Sequence, residues 1–253
     1  YRNAFPYFFP FIVPPLMIVA AIGAARLGRG PVLAVLMALM ICTGAGQGIK
    51  ALSEGSAMQR ATLDEVHRLF PEPVPYIDHN AMVATFPRHL FFISSMGMQH
   101  YREKGQPVMA DLIETHAPPL LIANRWALHL AMHDPAAEDG LHMLFPEDRE
   151  ILRKSYVHYA GTIWLAGQEV TLDAETTNIT LPFPGAYRVE AATPVQIDGQ
   201  TVSNGDIITS AGTHSVSGEA GQSVRLVWQT EGAPNPDALP MAAVYFGFWQ
   251  FPF

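Results

Sequence analysis

Residues 14–46, PPLMIVAAIGAARLGRGPVLAVLMALMICTGAG, contain no Asp or Glu, and their only charges are Arg26 and Arg29 near the middle. Two apolar runs, 5–25 and 31–49, flank these arginines, and each is about 20 residues long. That length carries a helix across roughly 30 Å of hydrocarbon at about 1.5 Å per residue. A buried helical hairpin of a soluble core is the competing reading, but such a hairpin would show a polar stripe at helical spacing. Here polarity is absent around the whole circumference until Gln47 and Lys50. The pattern predicts two transmembrane helices.

The connecting corner, Arg26-Leu27-Gly28-Arg29-Gly30-Pro31, is short and purely basic, and such loops stay on the cytoplasmic side. Both ends of the hairpin, and everything after Lys50, are then expected outside; in a bacterium that means the inner membrane with the C-terminal portion in the periplasm. Tyr1, Phe5, Tyr7, Phe8 and Phe9 supply the aromatic belt that favours the outer interface. Pro6, Pro10, Pro14 and Pro15 predict a kinked or late start to the first helix.

Charge divides the chain at the same place. Residues 1–50 hold Arg2, Arg26, Arg29 and Lys50 and no acid, whereas 51–253 hold 11 basic and all 23 acidic residues, a formal net of −12. An acidic outer portion argues against nucleic acid and against docking on anionic headgroups through a basic face. The one cysteine, Cys42, lies in the second apolar run, so the rest of the chain has no disulfide.

From 51 to 160 the pattern predicts a small α/β domain. Met58, Leu63, Val66, Leu69 and Phe70 form one helical stripe ended by Pro71 and Pro73. VPYIDHN and PLLIANR read as short buried strands, separated by helices over HLFFISSMGMQHYREKG and QPVMADLIETHAP, and PEDREILRKS begins with Pro146 and acids and ends with bases, as the helix dipole prefers. Two strands with helices between them predict a small, mainly parallel sheet. From 161 to 230 alternation takes over, punctuated by Asp198-Gly199, Asn204-Gly205, Ala211-Gly212 and Ser217-Gly218, and predicts an antiparallel β-sandwich. Residues 231–253 form a linker and an aromatic end, either a last strand or an interfacial segment.

The most site-like stretch is YIDHNAMVATFPRH. Asp78, His79 and Asn80 follow an apolar strand, where α/β sheets collect ligands, and Arg88 comes soon after. Such groups hydrogen-bond sugar hydroxyls and pair with phosphate; alternatively Asp78 or Asn80 caps a helix and Arg88 pairs with Asp78. His129 and His133, four apart with Asp134 and His142 nearby, have zinc-ligand spacing, but nothing fixes a third ligand, and surface histidines are the preferred reading. Trp164 and Trp228 suit a core or a sugar-stacking platform. No phosphate loop, nucleophile elbow or Cys/His pair appears, and neither a cofactor nor a metal is expected.

Taken together, the aromatic FPYFFPF entry, the basic turn, VPYIDHN, PPLLIANR and the β-rich FPGAYRVEAATPVQIDGQTV resemble the C-terminal end of bacterial membrane glycosyltransferases of the GT-C superfamily, of the glycosyltransferase family 39 or dolichyl-phosphate-mannose mannosyltransferase-like type. The resemblance implies a polyprenyl-phosphate-linked sugar donor, a glycan or lipid acceptor, and a catalytic acid in an early outer loop. The acids of this chain begin only at Glu54, so that residue is expected upstream of Tyr1 and no residue here is assigned as catalytic. The alternative is a membrane-tethered periplasmic binding protein without catalysis.

Overall fold

Alternation of apolar residues at period two decides which way each strand faces, and in this chain it sorts the buried residues into three cores about one sheet. The computed structural model describes residues 57–79, 81–91, 93–124, 126–136, 138–140, 143–173 and 176–232, with isolated positions between 18 and 42 and at 235 and 239. The chain divides into two compact units, Tyr1–Ser56 and Ala57–Phe253. Most of the expected spans, 5–25 and 31–49, lie outside the described residues, as does the aromatic end after 240. Among the described residues no helix is long and apolar enough to cross a membrane.

The larger unit opens with α1 (Ala57–Leu69), which buries Val66 and Leu69 as the stripe predicts. It then runs through β1 (Tyr76–Asp78), α2 (Ser95–Lys104), α3 (Met109–His116), β2 (Leu120–Ile122), α4 (Trp126–His133) and α5 (Pro146–Ser155). Strands β1 and β2 are parallel, with Tyr76 opposite Leu120 and Asp78 opposite Ile122. The expected parallel pairing is limited to these two strands; the other strand pairings among the described residues are antiparallel, so the sheet is not mainly parallel. The helix predicted from His89 starts only at Ser95, because the Ser94 hydroxyl accepts the Gly97 N–H at 3.0 Å and sets the cap. The residues before it continue the sheet: Arg88 bridges Tyr76, and the His89 N–H donates to the Tyr76 carbonyl at 2.9 Å. Gly105, at φ +64, ends α2 as its sequence position suggested.

The β-rich remainder comprises β3 (Tyr156–Ala160), β4 (Ile163–Thr171), β5 (Thr177–Ala191), β6 (Val195–Ile197), β7 (Gln200–Val202), β8 (Ile207–Ser217) and β9 (Ser223–Trp228). The nine strands of the described residues belong to one sheet, in the order β1-β2-β4-β9-β5-β8-β6-β7, with β3 on β4. The expected division at 160/161 therefore falls in the turn of the β3–β4 hairpin. The strands anticipated as a separate sandwich continue the sheet of the α/β part through β4. Its first half pairs with β2 and β3, and its second half with β9. Gly167 marks the change of partner. Its φ is +153, and a Cβ there would lie 2.1 Å from the Leu226 carbonyl oxygen.

Ile77, Leu121 and Trp164 point into a core shared with α2 to α5. Tyr76, Leu120, Ile122, Ile163 and Leu165 point the other way, against α1. A third core, built from Ile179, Tyr187, Val189, Val216 and Leu226 of the strands with Leu172 just past β4, includes no helix residue. Trp228 packs against all three cores, and Trp164 is buried, which gives both the packing role. In β5, Pro182 and Pro184 fall where the pairing with β8 shifts register, between Leu181 and Gly185; a ladder tolerates proline only at such irregularities. Asp198-Gly199 and Asn204-Gly205 form turns as predicted, but Gly212 lies inside β8, where its φ of +88 bends the strand.

Asp148 anchors the helices. The sequence places it as a first-turn dipole acid of α5, yet it is buried. Its carboxylate accepts the N–H groups of Val108 (2.9 Å) and Met109 (2.8 Å) and the Tyr101 hydroxyl (2.6 Å), capping α3 from another helix.

Candidate functional site

The carboxyl ends of β1 and β2 lie side by side, the position where parallel strands of an α/β sheet leave a crevice. Asp78 and His79 emerge from β1, and Ala123 and Asn124 from β2; Asp78, His79 and Asn124 are all buried. The Asp78 carboxylate accepts the N–H of Ala81 at 2.8 Å through Oδ1 and that of Met82 at 2.6 Å through Oδ2. Arg88 Nε stands 3.9 Å from Oδ1, and Arg88 Nη1 is 3.4 Å from the carbonyls of both His79 and Phe91. Asn124 Oδ1 accepts the His79 N–H at 3.2 Å, tying the two strand ends together.

Burial drives the Asp78 pKa up, against the backbone N–H groups of Met82 and Ala81, the Arg88 charge and Asn124, all of which favour the carboxylate. The turn it braces is strained: Ala81 has φ +61, a left-handed conformation that residues with a Cβ seldom adopt. The structure thus brings Asp78, His79 and Arg88 together, while Asn80 lies outside the described residues. Asp78 spends both oxygens on the turn that presents this cluster, and among the described residues it caps that turn and not a helix. Asn124 was missed, although it ends an apolar strand just as Asp78 does.

His89, next to Arg88, opens into a groove of about 450 Å3 along α3. Its ring stacks on His116 with centroids 3.8 Å apart and planes at 20°. Leu90, Phe91 and Leu112 give the groove apolar walls, and Asp111 and Thr115 add polar groups. Desolvation lowers the His89 pKa, and the neighbouring His116 lowers it further. An apolar floor with a few convergent polar groups is the usual makeup of a ligand cleft. His116 lies 27 residues beyond His89, a separation at which no local motif links them.

On α4, His129 and His133 sit with ring centroids 4.4 Å apart, as their spacing predicts. They are not surface histidines: His133 also meets Trp164 at 5.1 Å and His158 of β3 at 5.9 Å. His129 Nδ1, His133 Nε2 and Trp164 Nε1 are buried without hydrogen-bond partners among the described residues. Burial, followed by the charges of His129 and His158, holds the His133 pKa down at about 4. Among the described residues no group of three His, Cys, Asp or Glu has the arrangement to hold a metal ion. His142 lies outside them.

No family model matches the chain. Comparison with curated proteins and with solved structures likewise returned no match.

Proposed function

We propose that this chain is the C-terminal, extracytoplasmic portion of a polyprenyl-phosphate-sugar-dependent membrane glycosyltransferase of the inner membrane, with the catalytic acid outside these residues. The two apolar runs complete a transmembrane bundle, and the unit from Ala57 onward shapes access for the glycan or lipid acceptor. One observation supports the membrane part of this reading. Ile18, Ile22, Val35, Leu39 and Ile41, taken from both runs, are helical with exposed side chains, Ile18 at 62% and Ile41 at 65%. A hairpin buried in a soluble core would hide them; exposed apolar surface of this kind calls for lipid or other helices.

The cluster of Asp78, His79 and Arg88 with Asn124, and the α3 groove that begins at the adjacent His89, are the regions proposed to meet the acceptor. Arg88 supplies a cation for phosphate, and the groove supplies apolar walls for a lipid or the carbon face of a sugar. Membranes carrying the intact reading frame, incubated with a panel of labelled polyprenyl-phosphate hexoses, test the proposal. Transfer above that of membranes lacking the gene, and weakened by Arg88→Ala, is expected. Absence of transfer from every donor contradicts the reading and leaves a tethered, non-catalytic protein.

A further inference from the structure

Away from the crevice, on β8 and the β6–β7 turn, three side chains form a continuous hydrogen-bonded relay. Ser210 Oγ is 2.8 Å from His214 Nε2, and His214 Nδ1 is 2.7 Å from Asp198 Oδ2. Residues four apart on a straight strand stand about 13 Å from one another. Here the bend of β8 at Gly212, opposite the register shift in β5, folds Ser210 back onto His214. Asp198 comes from the β6–β7 turn, where its own φ is +53. It is clipped to β8 by three bonds to Ser215: its N–H donates to the Ser215 carbonyl (2.9 Å), and its Oδ1 accepts from the Ser215 N–H (2.9 Å) and hydroxyl (3.2 Å).

Asp198 is held ionised by its bonds to His214 and Ser215, so its oxygens only accept and Nδ1 of His214 carries a hydrogen. In the neutral imidazole Nε2 then has the lone pair that accepts the Ser210 hydroxyl. His214 is buried, and Ser210, His214 and Asp198 all line a cavity of about 350 Å3. Gln200 and Thr209 line that cavity with uncharged donors, and Ile207, 55% exposed, lines it with apolar surface.

We propose that Ser210, His214 and Asp198 form a nucleophilic site that hydrolyses small carboxylic esters. Ser210 Oγ attacks the ester carbonyl carbon while its proton passes to His214 Nε2. The tetrahedral adduct collapses, the C–O bond to the alcohol breaks, and the departing oxygen takes the proton from Nε2. Water, deprotonated by His214, then attacks the acyl-Ser210 ester and releases the carboxylic acid, and the proton returns to Ser210. Ester and water give acid and alcohol with no other reactant. Asp198 positions the imidazole and stabilises its charged form. The size of the cavity favours short acyl groups, and the Asp198 charge, with its side chain 52% exposed, disfavours anionic ones.

The full chain, treated with a fluorophosphonate probe and digested, tests this, with p-nitrophenyl acetate hydrolysis as the second readout. Labelling at Ser210 and hydrolysis abolished by Ser210→Ala are expected, with a loss of at least a hundredfold in His214→Gln, the scale of a general base. Because His214 is buried, Asp198→Asn provides a variant at an exposed position; it should keep the thermal midpoint within a few degrees while slowing labelling at least tenfold. No label at Ser210, or labelling at an unchanged rate in Asp198→Asn, overturns the proposal and leaves the relay as a clamp on the β6–β7 turn.

Discussion

His133 makes the acid tolerance of the larger unit predictable. Its pKa falls from about 6.5 in the unfolded chain to about 4 in the fold. The native state therefore binds fewer protons than the unfolded state between these values, and stability drops as pH falls through that window. The difference is about 2.5 pH units, and each unit is worth about 1.36 kcal/mol, which caps the loss near 3 kcal/mol. The side chain is only partly buried, so solvent screening brings our figure to about 1–2 kcal/mol. His133→Leu keeps apolar contact with Trp164 and removes the titrating group. Urea unfolding followed by tryptophan fluorescence at pH 7, 6, 5 and 4.5 checks this. Carboxylates and His129 titrate in both proteins, so the difference between the two stability curves isolates His133. The variant should gain on the wild type by about 1–2 kcal/mol as pH falls from 7 to 4.5. Parallel curves would refute the reasoning, since His133 would then be as easily protonated folded as unfolded.

Other perturbations test the architecture. Gly167→Ala pushes a methyl group against the Leu226 carbonyl and should cost at least about 3 kcal/mol in denaturant unfolding, the upper range for overpacking. Asp148→Ala strands the N–H groups of Val108 and Met109 and the Tyr101 hydroxyl; at about 1–3 kcal/mol for each unsatisfied group, a loss of at least about 3 kcal/mol is expected, with α3 amides exchanging first. Asp78→Asn puts an amide NH2 against an N–H donor of the 81–82 turn and should cost about 1–3 kcal/mol at neutral pH. Because the folded pKa of Asp78 is raised, its protonated form favours folding, and stability contributed by this group declines as pH rises through and above the ordinary carboxylate value of 3.8. Asp78→Asn should remove that decline in a pH series.

Local chemistry explains what the sequence made legible. The α1 stripe, the Gly105 stop, Pro146 at the start of α5 and the Asp-Gly turn of β6–β7 are set by residues within one or two turns of chain, and each appears where expected. Long-range pairing was not legible. That β4 changes partners at Gly167, joining two anticipated units into one sheet, depends on the approach of Leu226, 59 residues away. Gly212 has the sequence signature of a turn but serves as a strand bend, because β5 carries a matching irregularity. At the crevice, Asp78 and Arg88 were visible as polar groups after a strand, whereas Asn124 reaches them only through the β1–β2 pairing. The Ser210–His214–Asp198 relay escaped detection for the same reason: a spacing of four on a strand places two side chains far apart unless the strand folds.

Sidedness across the membrane tests the central claim most directly. In a Cys42→Ser background, single cysteines replace Leu27, in the arginine-bearing corner, and Glu219, exposed on the turn between β8 and β9. Intact cells are then treated with a membrane-impermeant maleimide. Reaction at position 219, with position 27 protected until the cells are lysed, is the predicted result. Reaction at position 27 in intact cells, or protection of 219, would contradict it.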